Sequence, residues 1–298
     1  MRLNFTKMHG CGNDFIVIDE FNVQSSEVSA AAERELSEIA RVLCRRRFSV
    51  GADGLIFVCD SAENDVRMRI FNADGSEAEM SGNGIRCCAK YAYDKGIAPR
   101  KMRVETLGGV RIVEIADAVG DDAEVCEVRV EMGKPEFKCV HAPFRIGSDE
   151  IRLTVLSIGN PHAVMLVDSF DFDVDAIGRR ISALFDGGVN VNFVVLRCDD
   201  SDDSDDRSEM NEIAVRTYER GVGETLSCGT GSTASVFALQ KLGLIDAKKP
   251  VKVLTRGCTL TVELHNDTAY LTGPAEKVYE GEIASPRFRL WRAGDDAE

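Results

Sequence analysis

A chain of 298 residues, with 44% hydrophobic and 29% charged residues, has the composition of a globular protein that buries one large or two ordinary domains. Its formal net charge of −14 argues against a nucleic-acid partner, because binding to a phosphate backbone needs a basic stripe. The N-terminal sequence has no apolar signal segment and no aliphatic stretch is long enough to span a bilayer, so we expect a cytoplasmic protein without membrane contact.

In chain order, each half of the sequence predicts strands interrupted by two helices. The predicted strands of the first half lie near 2–8, 14–19, 54–60, 66–71, 101–107 and 110–116, and its helices at 29–46 and 82–95. The predicted strands of the second half lie near 152–156, 163–168, 190–197, 212–218, 251–255 and 258–264, and its helices at 173–185 and 229–242. Gly96 and Gly243 follow two of these helices and suit left-handed caps. An acidic run over 199–206 is interpreted as a solvated loop between two strands.

The ten cysteines include no C-x-x-C pair, and the four histidines do not cluster with them at metal-ligand spacing. A zinc site is therefore not expected. Most of the thiols are expected to behave as small buried hydrophobic groups.

The sequence repeats itself at a nearly fixed offset. Gly12–Asn13, Phe71–Asn72 and Ser81–Gly82–Asn83–Gly84 are answered 147 residues later by Gly159–Asn160, Tyr218–Glu219 and Cys228–Gly229–Thr230–Gly231. A fourth pair, Thr106–Leu107–Gly108 and Thr255–Arg256–Gly257, recurs at 149 residues. Four ordered matches predict a duplication, and therefore two domains of like fold. The predicted domains comprise residues 1–134, completed by 275–298, and residues 135–274.

Ser81 and Cys228 each stand immediately before a predicted helix whose first turn is rich in glycine. A helix N-terminus carries roughly +0.5 of a charge and N–H groups without intrahelical partners, which lower the pKa of a thiol and can hold a carboxylate. Taken alone, Ser81 would be an ordinary N-cap and Cys228 a buried thiol. As equivalent positions of a duplicated chain they indicate a functional pair, and Cys228 is predicted to be the one low-pKa thiol of the ten.

Two such helix termini facing a shared cleft between the domains would place one proton-transfer group on each face of a bound molecule. Racemisation at Cα without a cofactor needs that arrangement, because one group removes the proton while the other returns one to the opposite face. We expect the two domains to close on the substrate, which would exclude water. No dinucleotide-binding or phosphate-loop motif is present. The expected partner is a small amino-acid substrate, with no metal and no pyridoxal phosphate, and a homodimer is left open.

Five motifs together resemble the diaminopimelate epimerase family over essentially the whole chain. They are HGCGNDF, FNADGSEAEMSGNGIRC, GNPH, GVNVNF and ERGVGETLSCGTG. The resemblance implies an α/β fold of the α+β type, with two pseudo-symmetric domains whose mainly antiparallel strands wrap around a central helix. It also implies a pyridoxal-phosphate-independent isomerase that interconverts LL- and meso-diaminopimelate in lysine and cell-wall precursor biosynthesis.

The resemblance also implies a set of site residues. The substrate-binding residues are Asn13, Asn72, Gly82, Asn83, Asn160, Asn190, Glu219, Arg220, Gly229 and Thr230. In this set the backbone of Gly82, Asn83, Gly229 and Thr230 forms the carboxylate cradle, while Glu219 and Arg220 contact the amino and carboxylate groups. The catalytic residues are Cys228, Ser81, His162 and Glu219, the last two steering the proton-transfer groups. Taken singly, each asparagine would be interpreted as a turn residue.

The sequence departs from the family pattern at Ser81, where the family normally has a cysteine. A hydroxyl is a far weaker acid than a thiol and is poorly suited to exchange a Cα proton. The serine is either a natural variant or an introduced substitution, or it marks a shifted reaction. A one-base isomerase or dehydratase, a racemase of another amino acid, and a binding protein that has lost half its machinery therefore stand as alternatives. Retention of Cys228, His162 and Glu219 disfavours the binding protein.

Overall fold

The computed structural model describes residues 2–19, 30–118, 125–197, 211–246 and 248–284. The acidic run at 199–206 lies outside the described residues, as does the C-terminal segment from 285 onward. The chain divides into two compact units, one formed by residues 1–128 with 275–298 and the other by residues 129–274. The boundary predicted between residues 134 and 135 lies six residues beyond this division.

The first unit is a strand-rich domain with two helices. Its elements are β1 (Arg2–Gly10), β2 (Asn13–Ile18), α1 (Ala30–Leu43), β3 (Gly54–Cys59), β4 (Val66–Asn72), β5 (Glu77–Ala78), α2 (Gly82–Asp94), β6 (Lys101–Glu105) and β7 (Arg111–Ala118). Strand β1 pairs with β2 antiparallel, β2 with β3 parallel, and β3 with β4 antiparallel. Strand β4 then pairs with β5 antiparallel and with β6 parallel, and β6 with β7 antiparallel.

The second unit follows the same order of elements and pairings. After β8 (Val125–Gly133), which crosses the division, its elements are β9 (Glu136–Ile146), β10 (Asp149–Ser157), β11 (Pro161–Leu166), α3 (Val174–Ser182), β12 (Asn190–Arg197), β13 (Asn211–Glu219), β14 (Gly223–Thr225), α4 (Gly229–Lys241), β15 (Val251–Leu254), β16 (Thr259–His265) and β17 (Thr268–Ala284). Strands β10 to β13 pair in the same senses as β1 to β4. The pairings of β14, β15 and β16 likewise match those of β5, β6 and β7.

Strand β17 pairs with strands of both units. Its first part, from Thr268 to Thr272, pairs with β16 in the second unit, and its last part, from Glu276 to Ala284, pairs with β1 in the first. Strands β5, β8, β9, β14 and β17 were absent from the prediction. The reason at β17 is its Gly273–Pro274 pair, which ordinarily ends a strand.

Each unit wraps its strands around one buried helix. Every residue of α2 from Gly82 to Ala92 is buried, and the helix packs against β1, β2, β3, β4, β6 and β7. Every residue of α4 from Gly229 to Leu239 is buried, and the helix packs against β10, β11, β12, β13 and β16. The predicted α+β class with a central helix in each domain is thereby confirmed.

The predicted helix ends are also confirmed. Gly96 and Gly243 follow α2 and α4 with φ of 69° and 70°, the left-handed conformation in which glycine ends a helix without a Cβ clash. Among the described residues, no helix is both long and apolar enough to cross a membrane.

Candidate active site

In the first unit, the N-terminus of α2 forms one half of the predicted site. Ser81 is the N-cap residue, with extended backbone, and its Oγ accepts a hydrogen bond from the Gly84 N–H at 3.1 Å. The Ser81 side chain is partly exposed, while Gly82 and Asn83 behind it are buried. The hydroxyl therefore stands at a helix N-terminus, where the positive end of the helix dipole favours negative charge.

The polar groups at the first turn of α2 hold one another in place through hydrogen bonds. Asn83 Nδ2 donates to Asn13 Oδ1 at 3.3 Å, and Asn13 Nδ2 donates to Asp53 Oδ2 at 3.0 Å. Arg86, which has no solvent exposure, donates to Asn83 Oδ1 at 2.9 Å. Asn13 and Asn83, both predicted site residues, are thus brought together, with Asp53 and Arg86 as partners that the sequence analysis missed.

Asn72 stands apart from this group in its contacts. It is exposed at the end of β4, where its Nδ2 donates to Ser76 Oγ at 3.0 Å and its N–H bonds to the Ser76 carbonyl at 2.8 Å. These contacts are those of a turn residue, and its predicted substrate role stays a prediction.

In the second unit, Cys228 caps α4 in the way that Ser81 caps α2. Its Sγ accepts from the Gly231 N–H at 3.4 Å and lies 3.4 Å from Thr230 Oγ1. The residue is only 7% exposed. A thiol at this position is held by helix N-terminal donors, yet it is almost removed from water.

The prediction that Cys228 has a lowered pKa is wrong for this geometry. Burial raises the pKa of the thiol to about 12, and the negative charge of Glu219 acts in the same direction. Hydrogen bonds from Thr230 and Gly231 lower the pKa, but they are outweighed by desolvation of the thiolate. The helix N-terminus favours the thiolate, but burial of the thiol, which the sequence alone does not reveal, has the larger effect. In this state Cys228 is a protonated group, able to give a proton.

His162 lies fully buried at the centre of a polar network in the second unit. One ring nitrogen, Nε2, lies 3.0 Å from Asn160 Oδ1, and the other, Nδ1, lies 3.1 Å from Asn192 Nδ2. Burial lowers the pKa of this imidazole to about 3, so the ring is neutral near pH 7.

The network continues from Asn160 to the thiol. Asn160 Nδ2 donates to Thr230 Oγ1 at 3.3 Å, and that oxygen is the one beside the Cys228 sulfur. Of the predicted site residues, Asn160, His162, Thr230 and Cys228 are therefore brought together by contacts within one unit. Asn192, which connects to His162 from the other side, was missed, although it lies inside the GVNVNF motif.

Glu219, Arg220 and Asn190 form a second group at the end of β13. The Arg220 N–H donates to Asn190 Oδ1 at 2.9 Å, and the Arg220 guanidinium donates to the Gly187 carbonyl at 3.0 Å. Glu219 Oε1 accepts from Thr225 Oγ1 at 2.7 Å. The negative charge of Glu219 raises the pKa of Cys228, and the steering role of Glu219 stays a prediction.

In each unit, the two strands that precede the buried helix are joined by a bidentate ion pair that the sequence analysis missed. Arg69 donates to Glu77 at 2.7 and 2.6 Å, and Arg216 donates to Glu224 at 2.6 and 2.7 Å. These pairs lie 147 residues apart, so the repeat offset could have identified them. Each ties the short strand before the helix, β5 or β14, to the longer strand beside it.

The described residues contain no group of three or more His, Cys, Asp or Glu side chains that could hold a metal ion. The polar groups of the two units are amides, hydroxyls, helix N-termini, the His162 imidazole and charged side chains such as Glu219 and Arg220, which suit the carboxylate and amino groups of an amino acid.

Solved structures with this fold include amino-acid racemases and epimerases. The chain is similar to a probable proline racemase from Agrobacterium radiobacter, with a TM-score of 0.71, 16% identity, and coverage of 96% of this chain and 94% of that one. It is also similar to a hydroxyproline epimerase from Agrobacterium vitis, with a TM-score of 0.70, 16% identity, and coverage of 95% and 91%. At these identities the likeness defines the fold: a two-domain α+β fold that amino-acid racemases and epimerases use.

Sequence similarity identifies the family within that fold. The family model for diaminopimelate epimerase matches residues 5–138 and 154–278. The diaminopimelate epimerase of Archaeoglobus fulgidus is 44% identical over 97% of this chain and 99% of its own length, and that of Halothermothrix orenii is 41% identical over 95% and 98%. The chain belongs to the diaminopimelate epimerase family.

Proposed function

We propose that this protein interconverts LL- and meso-diaminopimelate by two-sided proton transfer at Cα, and so serves lysine and cell-wall precursor biosynthesis. The observation that carries the proposal is the paired helix N-terminus: each unit caps a buried, glycine-rich helix with a hydroxyl or thiol, Ser81 or Cys228. Family membership supplies the substrate class.

In the proposed reaction, the cradle at the first turns of α2 and α4 binds the substrate carboxylate. Cys228 transfers a proton on one face of Cα, and the Ser81 side transfers one on the other. The neutral, buried His162 orients groups by hydrogen bonding, and Glu219 and Arg220 contact the amino and carboxylate groups. The roles of these residues, like the shared cleft itself, are parts of the proposal.

The proposal is tested by incubating the purified chain with LL- or meso-diaminopimelate in deuterated buffer. We expect solvent deuterium at Cα and formation of the other stereoisomer, with no loss of water or of ammonia. Activity should survive dialysis against a chelator, and the protein should show no aldehyde-cofactor absorbance in the near ultraviolet. Cys228→Ala should abolish conversion.

Product analysis separates the alternatives. Exchange without any second stereoisomer would indicate a one-base reaction. Loss of water from a hydroxylated amino acid supplied in place of diaminopimelate would indicate a dehydratase. Racemisation of proline or glutamate in preference to diaminopimelate would assign another amino acid. Binding without Cα exchange would contradict catalysis altogether.

A further inference from the structure

The three buried polar side chains behind Cys228 occupy positions that are apolar in the other unit. In the second unit, Asn192 is the direct cross-strand partner of Thr217. Both are buried, as is His162 on the neighbouring strand, with exposures of 0%, 4% and 0% for Asn192, Thr217 and His162. Burying an amide, a hydroxyl and an imidazole costs free energy unless each is hydrogen-bonded.

The first unit shows that the fold does not need polar groups there. By strand register and the repeat offset, the equivalent positions are Phe15, Ile56 and Ile70, all buried, and Ile56 pairs with Ile70 as Asn192 does with Thr217. The same architecture is thus packed with hydrocarbon in one unit. The fold therefore does not require His162, Asn192 and Thr217 to be polar, and we look to the chemistry of the site for the reason.

Hydrogen bonding fixes the orientation of the Asn192 amide. Its Oδ1 accepts from the Thr217 hydroxyl at 3.0 Å, and its Nδ2 lies 3.5 Å from the Ala163 carbonyl oxygen, which can only accept. The same Nδ2 lies 3.1 Å from His162 Nδ1. Because an NH₂ group faces that ring nitrogen, Nδ1 carries the lone pair, and the proton of the neutral ring is on Nε2.

This tautomer sets which group donates and which accepts in each hydrogen bond from His162 to Cys228. His162 Nε2–H donates to Asn160 Oδ1 at 3.0 Å, which turns the Asn160 NH₂ group toward Thr230 Oγ1 at 3.3 Å. With its oxygen accepting from Asn160, the Thr230 hydroxyl directs its hydrogen to the Cys228 sulfur, 3.4 Å away. Reversing the tautomer would reverse every bond and turn the last donor away from the sulfur.

We propose that Asn192 is a positioning residue that fixes His162 in the Nε2–H tautomer and thereby aligns a chain of hydrogen-bond donors onto the Cys228 sulfur. The inference rests on the proposed function, in which Cys228 is a proton-transfer group. It makes His162 a donor that orients Asn160 and excludes it as the base that takes a proton from the thiol. A thiolate formed during turnover is stabilised by the last donor of the chain.

The first turn of α4 packs directly on this arrangement. A Cβ built on Gly231 would lie 2.2 Å from Asn192 Oδ1 and 3.2 Å from Thr217 Oγ1. The N–H of the same glycine donates to the Cys228 sulfur. The amide that sets the tautomer thus also contacts the turn that holds the thiol. The negative charge of Glu219 also acts on that thiol and raises its pKa.

The tautomer is measured first, in the protein without substitutions. The chain has only four histidines, so ¹⁵N-labelled histidine gives four ring patterns, and the His162 pattern is assigned by its absence in a His162→Gln variant. We expect His162 to show a protonated Nε2 and an unprotonated Nδ1 at neutral pH. A protonated Nδ1, or a doubly protonated ring, would overturn the proposal. This readout does not depend on the substrate, so it separates the inference from the proposed epimerase activity.

Variants then test the consequence for the thiol. Thr217→Val removes the hydroxyl that orients the Asn192 amide, whereas Thr217→Ser keeps it. Asn192→Asp replaces the donor to Nδ1 by an acceptor. We expect Thr217→Val and Asn192→Asp to populate Nδ1–H, to lower kcat on the order of 10–100-fold, and to raise the pH at which Cys228 is alkylated. Thr217→Ser should retain the wild-type tautomer and most of kcat.

Ile70→Val, at the position equivalent to Thr217, is the matched control for lost core packing in the other unit. It should change neither the His162 pattern nor the alkylation of Cys228. Wild-type kcat in Thr217→Val together with a reversed tautomer would refute the link to the thiol, and an unchanged tautomer in Asn192→Asp would refute the assignment of Asn192. If Asn192→Asp does not fold, the Thr217 pair decides both points.

Discussion

Replacing Ser81 by cysteine is the perturbation that most directly tests the proposed two-sided proton transfer. The fold already accommodates a sulfur at the equivalent cap, because Cys228 Sγ accepts from Gly231 N–H at 3.4 Å where Ser81 Oγ accepts from Gly84 N–H at 3.1 Å. The two N-caps also share an extended backbone, with φ of −136° and −124°. A thiol at position 81 therefore needs no rearrangement of α2.

The magnitude follows from the difference between a hydroxyl and a thiol at this site. Ser81 is partly exposed, so a thiol there loses less hydration on ionising than Cys228 does, and the N-terminus of α2 favours its anion. A positioned acid or base contributes roughly 10²–10⁴-fold to a rate, which corresponds to about 3–5 kcal/mol of activation free energy. Ser81→Cys should raise net epimerisation by a factor in that range.

The assay follows Cα deuteration of each stereoisomer separately. With serine in place, the isomer whose Cα proton points at Cys228 should exchange faster than its epimer, and net conversion should lag behind exchange. With Ser81→Cys the two directions should become balanced. Ser81→Ala is the control, since it removes the hydroxyl while keeping the helix. If Ser81→Cys leaves the rate unchanged and the serine protein already turns over briskly, serine or a water that it holds is competent, and the reasoning from thiol acidity fails.

Three further changes test the local physics. Because burial raises the pKa of Cys228 from 9.0 to about 12, folding favours its thiol form, and stability should fall as pH rises through this window. Burial also raises the pKa of Cys44, Cys59 and Cys87 to about 12, so Cys228→Ala should lessen the pH dependence of urea unfolding by the share of one thiol, and an unchanged slope would contradict this. Gly231→Ala should destabilise the protein, although alanine normally favours a helix interior, because its Cβ would lie 2.2 Å from Asn192 Oδ1. In the control Gly243→Ala the new Cβ would meet nothing within 4 Å, so the variant should lose only the roughly 1 kcal/mol that a left-handed residue other than glycine costs. Equal effects of the two variants in thermal unfolding would contradict this. The Arg216 guanidinium lowers the pKa of the Glu224 carboxyl, so the stability that this carboxylate adds is present at neutral pH and lost as pH falls. Glu224→Gln should lower the free energy of unfolding by about 1–3 kcal/mol at pH 7 and by progressively less below pH 4.5. A difference that stays constant with pH would count against this.

The parts of the fold that were predictable are those with local chemical signals. Helices α2 and α4 begin at glycine-rich turns and end at Gly96 and Gly243, so their boundaries were predicted within a residue or two. The strands that alternate or run apolar, such as β3 and β4, were predicted for the same reason. The site residues of the repeat could be proposed from the sequence because their spacing does not depend on tertiary structure.

The rest depends on burial and long-range pairing. Strand β9 alternates without a strong apolar face, and β17 contains a glycine and a proline, so neither carries the usual pattern of a strand. The raised pKa of Cys228 arises from desolvation by the folded chain. In the sequence, Asn192 and Thr217 look like ordinary strand residues. They stand out as unusual only when the strand register shows that the equivalent positions of the first unit, Ile56 and Ile70, are apolar.

The two helix N-termini are supported by different electrostatics, and this asymmetry bears on how each can move a proton. Arg86 in α2 donates to the Gly82 carbonyl at 2.9 Å, and at the equivalent position in α4 Thr233 donates to the Gly229 carbonyl at 3.0 Å. The same backbone oxygen is satisfied by a buried cation in one unit and by a neutral hydroxyl in the other. Burial lowers the pKa of Arg86 to about 10, which leaves it charged near pH 7. The first unit therefore favours negative charge through a fixed cation, and the second through a directed chain of neutral donors. A cation acts over distance and suits a carboxylate or a weakly acidic hydroxyl, whereas aligned donors act at one atom and suit a sulfur that must both hold and release its proton.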